Sequence, residues 1–211
     1  TGTPISSHHR DTMRVFGDIA SSYKIGQAVK DKATVPIYYE GRLIPLHLAD
    51  KFIDSKLDEI LGEIIVDEKA KARKEWAVLE EVVGAPSRIE QIARDIVAHF
   101  NNRPIEGKAM VVTMSRPIAV AMYNAIKKID GAPECAVIIS GMEDFPGQIQ
   151  TEHDVKKLEK RFKKTNDPLR LVIVCDMWLT GFDVPNMHTM YLDKPLKNHG
   201  LMQAIARMNR V

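Results

Sequence analysis

The residues best suited to chemistry stand close to the end of the chain. Gln203, Arg207 and Arg210 are spaced at i, i+4 and i+7, which places them on one face of a helix. Two arginines on one rigid face suit the stabilisation of charge on a transferring phosphoryl group, as arginine fingers do. The same spacing also suits a solvated basic face at a chain end. Spacing alone leaves both interpretations open.

A second candidate is the pair Ser115 and Arg116, which follows the apolar run 109–113 and precedes a helical pattern that begins near Pro117. Backbone amides and the macrodipole at a helix N-terminus favour an anion. A guanidinium adds a planar fork of donors, so phosphate is the natural partner. The alternative is that Ser115 is only an N-cap and Arg116 only a surface residue.

A third candidate is the loop at residues 176–183, which contains Thr180, Gly181 and Asp183 together with Trp178 and Phe182. Gly181 permits a positive φ or a close backbone approach. Asp183 could accept a hydrogen bond from a hydroxyl group such as that of a ribose. Alternatively, the two aromatic side chains fill the core and Asp183 forms an ordinary turn.

Other kinds of site are not supported by the sequence. It contains no G-x-x-x-x-G-K-[ST] phosphate loop and no G-x-G-x-x-G motif. The seven histidines show no metal-ligand spacing, so we expect no metal site. Cys135 and Cys175 lie in or beside apolar runs, which favours a reduced cytoplasmic protein over a disulfide framework. No apolar run reaches the roughly 18 residues of a membrane span.

The elements that must position these residues alternate between helices and short apolar strands after residue 86. Residues 87–90, Ser-Arg-Ile-Glu, match a capping box at the start of the first helix. Strands are predicted at 109–113, 136–139, 171–174 and 189–192, and helices at 87–100, 115–129, 155–164 and 200–209. This alternation predicts an α/β fold with a parallel sheet and helices on both faces. Ligands of such sheets bind at the carboxyl ends of the strands.

The preceding part of the chain differs in texture and charge. Residues 1–86 have a net charge of −2 and residues 87–211 a net charge of +4. Short extended pieces are predicted at 34–39 and 43–46, followed by charged helices over 50–83. The basic face of residues 156–164 fits either a DNA-tracking surface or a solvated helix. Because the sequence begins at Thr1 and ends at Val211, we expect a processed protein or an excised piece.

Together these segments resemble a superfamily 2 helicase-like motor from its third motif to its sixth. The matching runs are residues 1–4 for the third, 110–116 for the fourth, 179–185 for the fifth and 203–210 for the sixth. Three runs narrow the resemblance. Residues 33–40, 176–183 and 203–211 are similar to the restriction (motor) subunit of type I restriction–modification enzymes. The fold implied is a RecA-like second helicase lobe at 87–211, after the end of the first lobe and a connector at 1–49 and a charged helical bridge at 50–86.

The resemblance implies an ATP-dependent double-stranded DNA translocase that belongs to a type I site-specific deoxyribonuclease. In that family Arg207 and Arg210 would approach the ATP phosphates, with Gln203 supporting the same face. Gly181 and Asp183 would line the nucleotide cleft, and Ser115, Arg116 and Thr180 would hold the DNA phosphate backbone. The remaining partners would be methyltransferase and specificity subunits in the cytoplasm, with no membrane.

This sequence lacks the Walker A and Walker B segments that would bind most of the ATP and Mg²⁺ in the first lobe. We therefore expect the chain as given to be inactive alone. Two other interpretations remain open. One is a lobe of a different superfamily 2 DNA motor, such as a chromatin remodeller, and the other is a non-catalytic α/β module that binds nucleic acid or phosphate.

Overall fold

A four-stranded parallel sheet forms the centre of the computed structural model. The structure describes residues 6–7, 10–18, 21–42, 68–139, 151–175, 177–178, 184, 186–196, 201–202, 204–205 and 208. In chain order the elements are β1 (Ser6–Ser7), β2 (Arg10–Asp11), α1 (Thr12–Phe16), α2 (Ile25–Lys30), α3 (Glu68–Val83), α4 (Pro86–Asn102), β3 (Lys108–Thr113), α5 (Arg116–Lys127), β4 (Glu134–Ile138), α6 (Glu152–Lys163), β5 (Leu169–Val174) and β6 (Met187–Asp193).

The strand order across the sheet is β4-β5-β3-β6, and every neighbouring pair is parallel. β3 lies between β5 and β6, and all six of its residues are buried. This explains the unbroken apolar run from Ala109 to Val112, because a strand covered on both faces has no solvent side.

Successive residues of the strands point to opposite faces of the sheet and pack into two separate hydrophobic cores. Val111 and Ile173 face α4 and α5, whereas Met110 and Val172 face α6. Six apolar side chains of α4 recur at helical spacing and are buried: Ile89, Ile92, Ala93, Ile96, Val97 and Phe100. Helices therefore cover both faces of the sheet, and the predicted α/β fold class with a parallel sheet is confirmed.

The predicted capping box at residues 87–90 is wrong. α4 begins at Pro86, its N-cap is Ala85, and no side chain caps it. Proline at the first helical position has a preset φ and needs no hydrogen-bond partner, which moves the helix start one residue earlier than Ser87. A capping box occurs instead at the start of α6, where Thr151 and Asp154 exchange side-chain to backbone hydrogen bonds.

The N-terminal region is less regular than the sheet. Of the pair of charged helices predicted over 50–83, the part at 68–83 is present as α3, and residues 50–67 lie outside the described residues. Residues 35–42 form neither helix nor strand, and 43–46 also lie outside the described residues. Several large apolar side chains are exposed here, and Phe16, Tyr38 and Tyr39 each retain more than four fifths of their surface. In the described parts of the chain, no helix combines the length and the apolar character needed to cross a membrane.

Candidate functional site at the carboxyl edge of the sheet

The register of the strands brings three chain segments together at the carboxyl edge of the sheet. Thr113 at the end of β3 is the ladder partner of Asp193 at the end of β6. Val112, one residue earlier, pairs with Val174 at the end of β5. The segments that follow β3, β5 and β6 therefore start side by side, as expected for the edge at which parallel sheets bind ligands.

Ser115 and Arg116 lie at the centre of this edge. Ser115 is the N-cap of α5 with an extended backbone (φ −144°, ψ 167°), and Pro117 stands in the first turn. The Ser115 hydroxyl is buried and, among the described residues, has neither a capping hydrogen bond nor any other partner. Arg116 is exposed. The first turn of α5 thus offers free backbone donors, one hydroxyl and one guanidinium to an anion.

The strand ends beneath Ser115 are tied to one another. The Thr113 hydroxyl lies 3.1 Å from the carbonyl oxygen of Ser115 and 3.2 Å from that of Val174. The Cys175 thiol lies 3.5 Å from the Met114 carbonyl oxygen. The contacts of Thr113 with Val174 and of Cys175 with Met114 hold the end of β3 against the end of β5. The sequence did not reveal this role of Thr113, because a hydroxyl at a strand end has no periodic signature.

The segment after β6 is fixed by an ion pair with Arg88. The Arg88 guanidinium donates to both carboxylate oxygens of Asp193, at 2.5 Å and 3.1 Å. It also donates to the Val83 carbonyl oxygen at the end of α3, at 2.8 Å. Both carboxylate oxygens of Asp193 are therefore already paired within the protein. Arg88 is a positioning residue that sequence reasoning missed, because its partner is 105 residues away.

The helical segment that carries the predicted arginines packs on the α6 side of the sheet. Residues 201, 202, 204, 205 and 208 are helical. Ala204 is buried, and Met208 packs against the same core as Met110 and Val172. Leu201 and Ile205 of the same segment are half-buried. The predicted site residues Gln203, Arg207 and Arg210 lie outside the described residues.

The loop after β5 contributes an aromatic plug. Trp178 is buried and has a positive φ of 67°. Its ring stacks on Phe162 of α6 with centroids 6.1 Å apart. The core-filling interpretation is therefore correct for Trp178. Thr180, Gly181, Phe182 and Asp183 lie outside the described residues, so their predicted roles remain predictions.

A second polar cluster lies beside the outer strand β6. The Tyr191 hydroxyl and His99 Nδ1 are 2.8 Å apart. Arg42 contacts Glu40 and Asp95, each at 3.1 Å. Burial raises the pKa of Tyr191 to about 12, although nearby Arg103 and Arg42 act in the opposite direction. This cluster joins the N-terminal region to α4 and β6.

Cys135 lies at the amino end of β4, on the opposite edge of the sheet. Burial raises the pKa of the Cys135 thiol to about 11, which keeps it protonated and weakly nucleophilic. Within the described residues, no group of three or more His, Cys, Asp or Glu side chains could hold a metal ion. At the carboxyl edge the described residues place the N-terminus of α5, with Ser115 and Arg116, near a helical segment that packs on the sheet.

Comparison with known protein families yields two matches along the chain. Residues 139–211 match the family described as type I restriction enzyme subunit R domain 3. Residues 1–72 match the family described as SWI2/SNF2 ATPase.

Individual relatives match the whole chain. The putative type I restriction enzyme MjaIXP endonuclease subunit of Methanocaldococcus jannaschii is 47% identical, over 100% of this chain and 21% of its own length. The type I restriction enzyme HindI endonuclease subunit of Haemophilus influenzae is 42% identical, also over 100% of this chain and 21% of its own length. The chain thus spans about a fifth of these relatives. A solved structure, the Pyrococcus furiosus Hef helicase domain, is 17% identical with a TM-score of 0.38, over 74% of this chain and 30% of its own.

Proposed function

The chain belongs to the family of type I restriction enzyme endonuclease (R) subunits, and on this premise we propose that it is the part of such a subunit that grips duplex DNA during ATP-driven translocation. Residues 87–211 would be the second RecA-like lobe of the motor. Residues 1–49 would be the end of the first lobe with its connector, and residues 50–86 the helical bridge between them.

The observation that best supports a grip on DNA is the unsatisfied hydroxyl of Ser115. A buried hydroxyl without a partner is energetically unfavourable, and a phosphate oxygen at the N-terminus of α5 would supply the missing partner. Arg116 would add the charge. Contacts of this kind go to the DNA backbone and carry no sequence information, which suits a protein that moves along DNA. Thr180 would join them from the loop after β5.

The nucleotide role rests on the resemblance and on how the segment that carries Arg207 and Arg210 is attached to the sheet. Arg207 and Arg210, with Gln203, would act on the phosphates of ATP, whose Mg²⁺ would be held mainly by the first lobe. When bound, ATP supplies the phosphoryl group whose transfer drives the motor. Gly181 and Asp183 would line the same cleft. Two contacts support a rigid base for these arginines, namely the Arg88–Asp193 ion pair before the helix and the packing of Met208.

In the complete protein, the motor would work with a nuclease domain elsewhere in the subunit, as a type I site-specific deoxyribonuclease in the cytoplasm. Methyltransferase and specificity subunits would complete the complex. The chain as given would neither hydrolyse ATP nor cut DNA, because the ATP-binding segments of the first lobe are not part of its sequence.

The test uses the full-length subunit. Changing Ser115 and Arg116 together to Ala should reduce the slope of log affinity for non-specific duplex DNA against log salt by about 1, because one charged phosphate contact is lost. Lys128→Ala, at the other end of α5, is the matched control and should leave the slope unchanged. An unaltered slope in the double variant would remove Ser115 and Arg116 from the DNA path.

The nucleotide role is tested separately. Arg210→Ala should lower DNA-stimulated ATP hydrolysis by about 10³-fold, the scale of arginine-finger losses, and should leave DNA affinity intact. Wild-type turnover in this variant would contradict the assignment. Absence of any DNA-stimulated ATP hydrolysis in the wild-type full-length subunit would contradict the motor function as a whole.

A further inference from the structure

The outer face of α6 carries three exposed lysines that form no close ion pair with a described residue, although Lys157 interacts electrostatically with Asp154 one turn earlier. Lys157, Lys160 and the C-cap residue Lys164 are exposed and stand at i, i+3 and i+7. None of the three forms an ion pair with any residue that the structure describes. At 3.6 residues per turn they form one stripe along the helix, nearly opposite to the side that packs on the sheet.

Two other lysines of α6, Lys156 and Lys163, differ from these three because each is paired with a glutamate. Lys156 lies 2.6 Å from Glu152, and Lys163 lies 2.6 Å from Glu159, both pairs at i, i+4 spacing. The hydrogen bond with Glu152 raises the pKa of Lys156, as expected for a paired ammonium group. The positive charge of α6 is therefore concentrated on the stripe of Lys157, Lys160 and Lys164, which we call the lysine stripe.

The helix that carries the stripe is firmly attached to the sheet. Phe162 is fully buried and stacks on Trp178 with an angle of 27° between the rings. The Lys108 ammonium group, itself buried, donates to the Arg161 carbonyl oxygen at 3.0 Å in the last turn. Through Trp178 the helix also contacts the loop after β5, which carries Thr180. A force on the lysine stripe would thus be transmitted to the sheet and to that loop.

The composition of the outer face indicates the kind of partner. Every exposed residue of α6 is polar or charged. Protein interfaces concentrate apolar and aromatic anchors at their centre, and this face has none. A DNA strand instead presents a regular line of phosphates, one per 3.4 Å of helix axis, and the lysine stripe extends over about 10.5 Å. Lysine is a compact charge on a flexible stem, which tolerates phosphates that move past it.

We propose that the lysine stripe Lys157, Lys160 and Lys164 is a second contact with the phosphate backbone of duplex DNA, separate from Ser115 and Arg116. The proposal rests on the proposed function, because it assumes that this lobe binds DNA. The stripe supplies charge and no sequence recognition, and its contribution to affinity falls as salt rises.

The experiment compares two variants of the full-length subunit that differ in which lysines are changed. K157Q/K160Q/K164Q removes the stripe, and K156Q/K163Q removes the two acid-paired lysines from the same helix. Glutamine retains good helix propensity, so both variants keep α6 folded, which circular dichroism verifies. Binding to a fluorescein-labelled non-specific 30-base-pair duplex is followed by fluorescence anisotropy at several salt concentrations.

The triple variant should reduce the slope of log affinity against log salt by about 2 to 3, since each lost phosphate contact contributes about 0.9. The double variant should change the slope by less than about 0.5. Equal changes in both variants, or an unchanged slope in the triple variant, would overturn the proposal. If the triple variant instead lost association with its partner subunits at unchanged DNA affinity, the stripe would be a protein contact and the proposal would fail.

The proposed function can be judged independently, by measuring ATP hydrolysis of the same preparations beside the DNA-binding assay. A wild-type subunit that shows DNA-stimulated ATP hydrolysis, together with a triple variant of unchanged slope, would refute the lysine stripe and leave the proposed function standing. A wild-type subunit that does not bind the duplex would refute both.

Discussion

Arg88 and Asp193 form a two-pronged ion pair that joins the first turn of α4 to the carboxyl end of β6. The same guanidinium donates to the Val83 carbonyl oxygen at the end of α3. One side chain therefore fixes three elements at the edge of the sheet where we propose the anion site. The chain leaves β6 at this point and continues toward the helical residues 201, 202, 204, 205 and 208, so the ion pair fixes the start of the connecting segment.

We expect Arg88→Met to loosen this corner. Asp193 retains only 11% of its side-chain surface, so its carboxylate would lose a charged partner in a poorly solvated place. The cost should be about 2 kcal/mol, which corresponds to about 30-fold faster hydrogen exchange in α4 and β6 of the full-length subunit. Arg94→Met is the control, because Arg94 and Glu90 form an exposed pair of little energetic value. Equal exchange rates in the two variants would contradict the prediction.

Gly107 should not tolerate alanine. Its φ is +138°, and a Cβ there would overlap the His188 ring and lie 2.8 Å from the Asn186 carbonyl oxygen. That oxygen accepts the hydrogen bond from the Lys108 amide at the start of β3. Gly107→Ala should destabilise the β3–β6 pairing by about 1–3 kcal/mol, measured as faster exchange of the β3 amides.

The matched control is Gly26→Ala in α2, where a Cβ would meet no atom within 4 Å. Alanine is the better helix former, so this variant should be neutral or more stable by up to about 1 kcal/mol. Loss of stability at Gly26 equal to that at Gly107 would show that the close contact with His188 is not the cause.

The stability contributed by Tyr191 should depend on pH only in the alkaline range. Burial raises its pKa to about 12 in the folded state, whereas an exposed tyrosine titrates near 10. The neutral phenol is thus favoured by folding. This contribution is complete below about pH 10 and is lost as the pH rises from about 10 to about 12.

Tyr191→Phe removes this titration together with the contact to His99. The variant should be less stable than wild type by about 1 kcal/mol at pH 7, and the difference should shrink above pH 10. Denaturant unfolding of this region, followed across that pH range, measures the effect. Tyr39→Phe, at an exposed side chain, is the control. A difference that stays constant from pH 7 to pH 12 would refute the raised pKa.

Cys135 should resist alkylation. With its pKa at about 11, the thiolate fraction at pH 8 is about a hundredfold or more below that of an ordinary cysteine. Mass spectrometry of the peptide that contains Cys135 should show much slower reaction with iodoacetamide in the folded subunit than in urea. Burial is the main cause, with Glu134 adding to it and Lys127 opposing it. Similar rates in the two conditions would contradict the prediction.

The sequence predicted most of the sheet but few of its connecting contacts. The runs at 109–113 and 171–174 form strands because burial on both faces demands continuous apolar residues, and that pattern is local. The ion pair of Arg88 with Asp193 and the contact of His99 with Tyr191 join distant segments, so no spacing reveals them.

The candidate site could be located from the sequence but not completed. Parallel strands place their carboxyl ends together, which put Ser115 and Arg116 at the correct edge. Only the structure shows that the Ser115 hydroxyl lacks a hydrogen-bond partner among the described residues, because hydrogen bonding depends on atoms from several segments. The predicted roles of Arg207, Arg210, Gln203, Gly181, Asp183 and Thr180 remain predictions.

The place of β3 in the sheet constrains how the protein folds as it is synthesised. β3 is the first strand of its sheet to leave the ribosome, yet its two neighbours in the described sheet, β5 and β6, are the last. At 5–20 residues per second, translation reaches the end of β5 roughly 3 to 12 seconds after β3 is complete. During this interval β3, whose residues are all buried in the finished sheet, lacks the two strands with which it pairs. We therefore expect α4 and α5 to shield β3 from aggregation on the nascent chain, before the sheet exists.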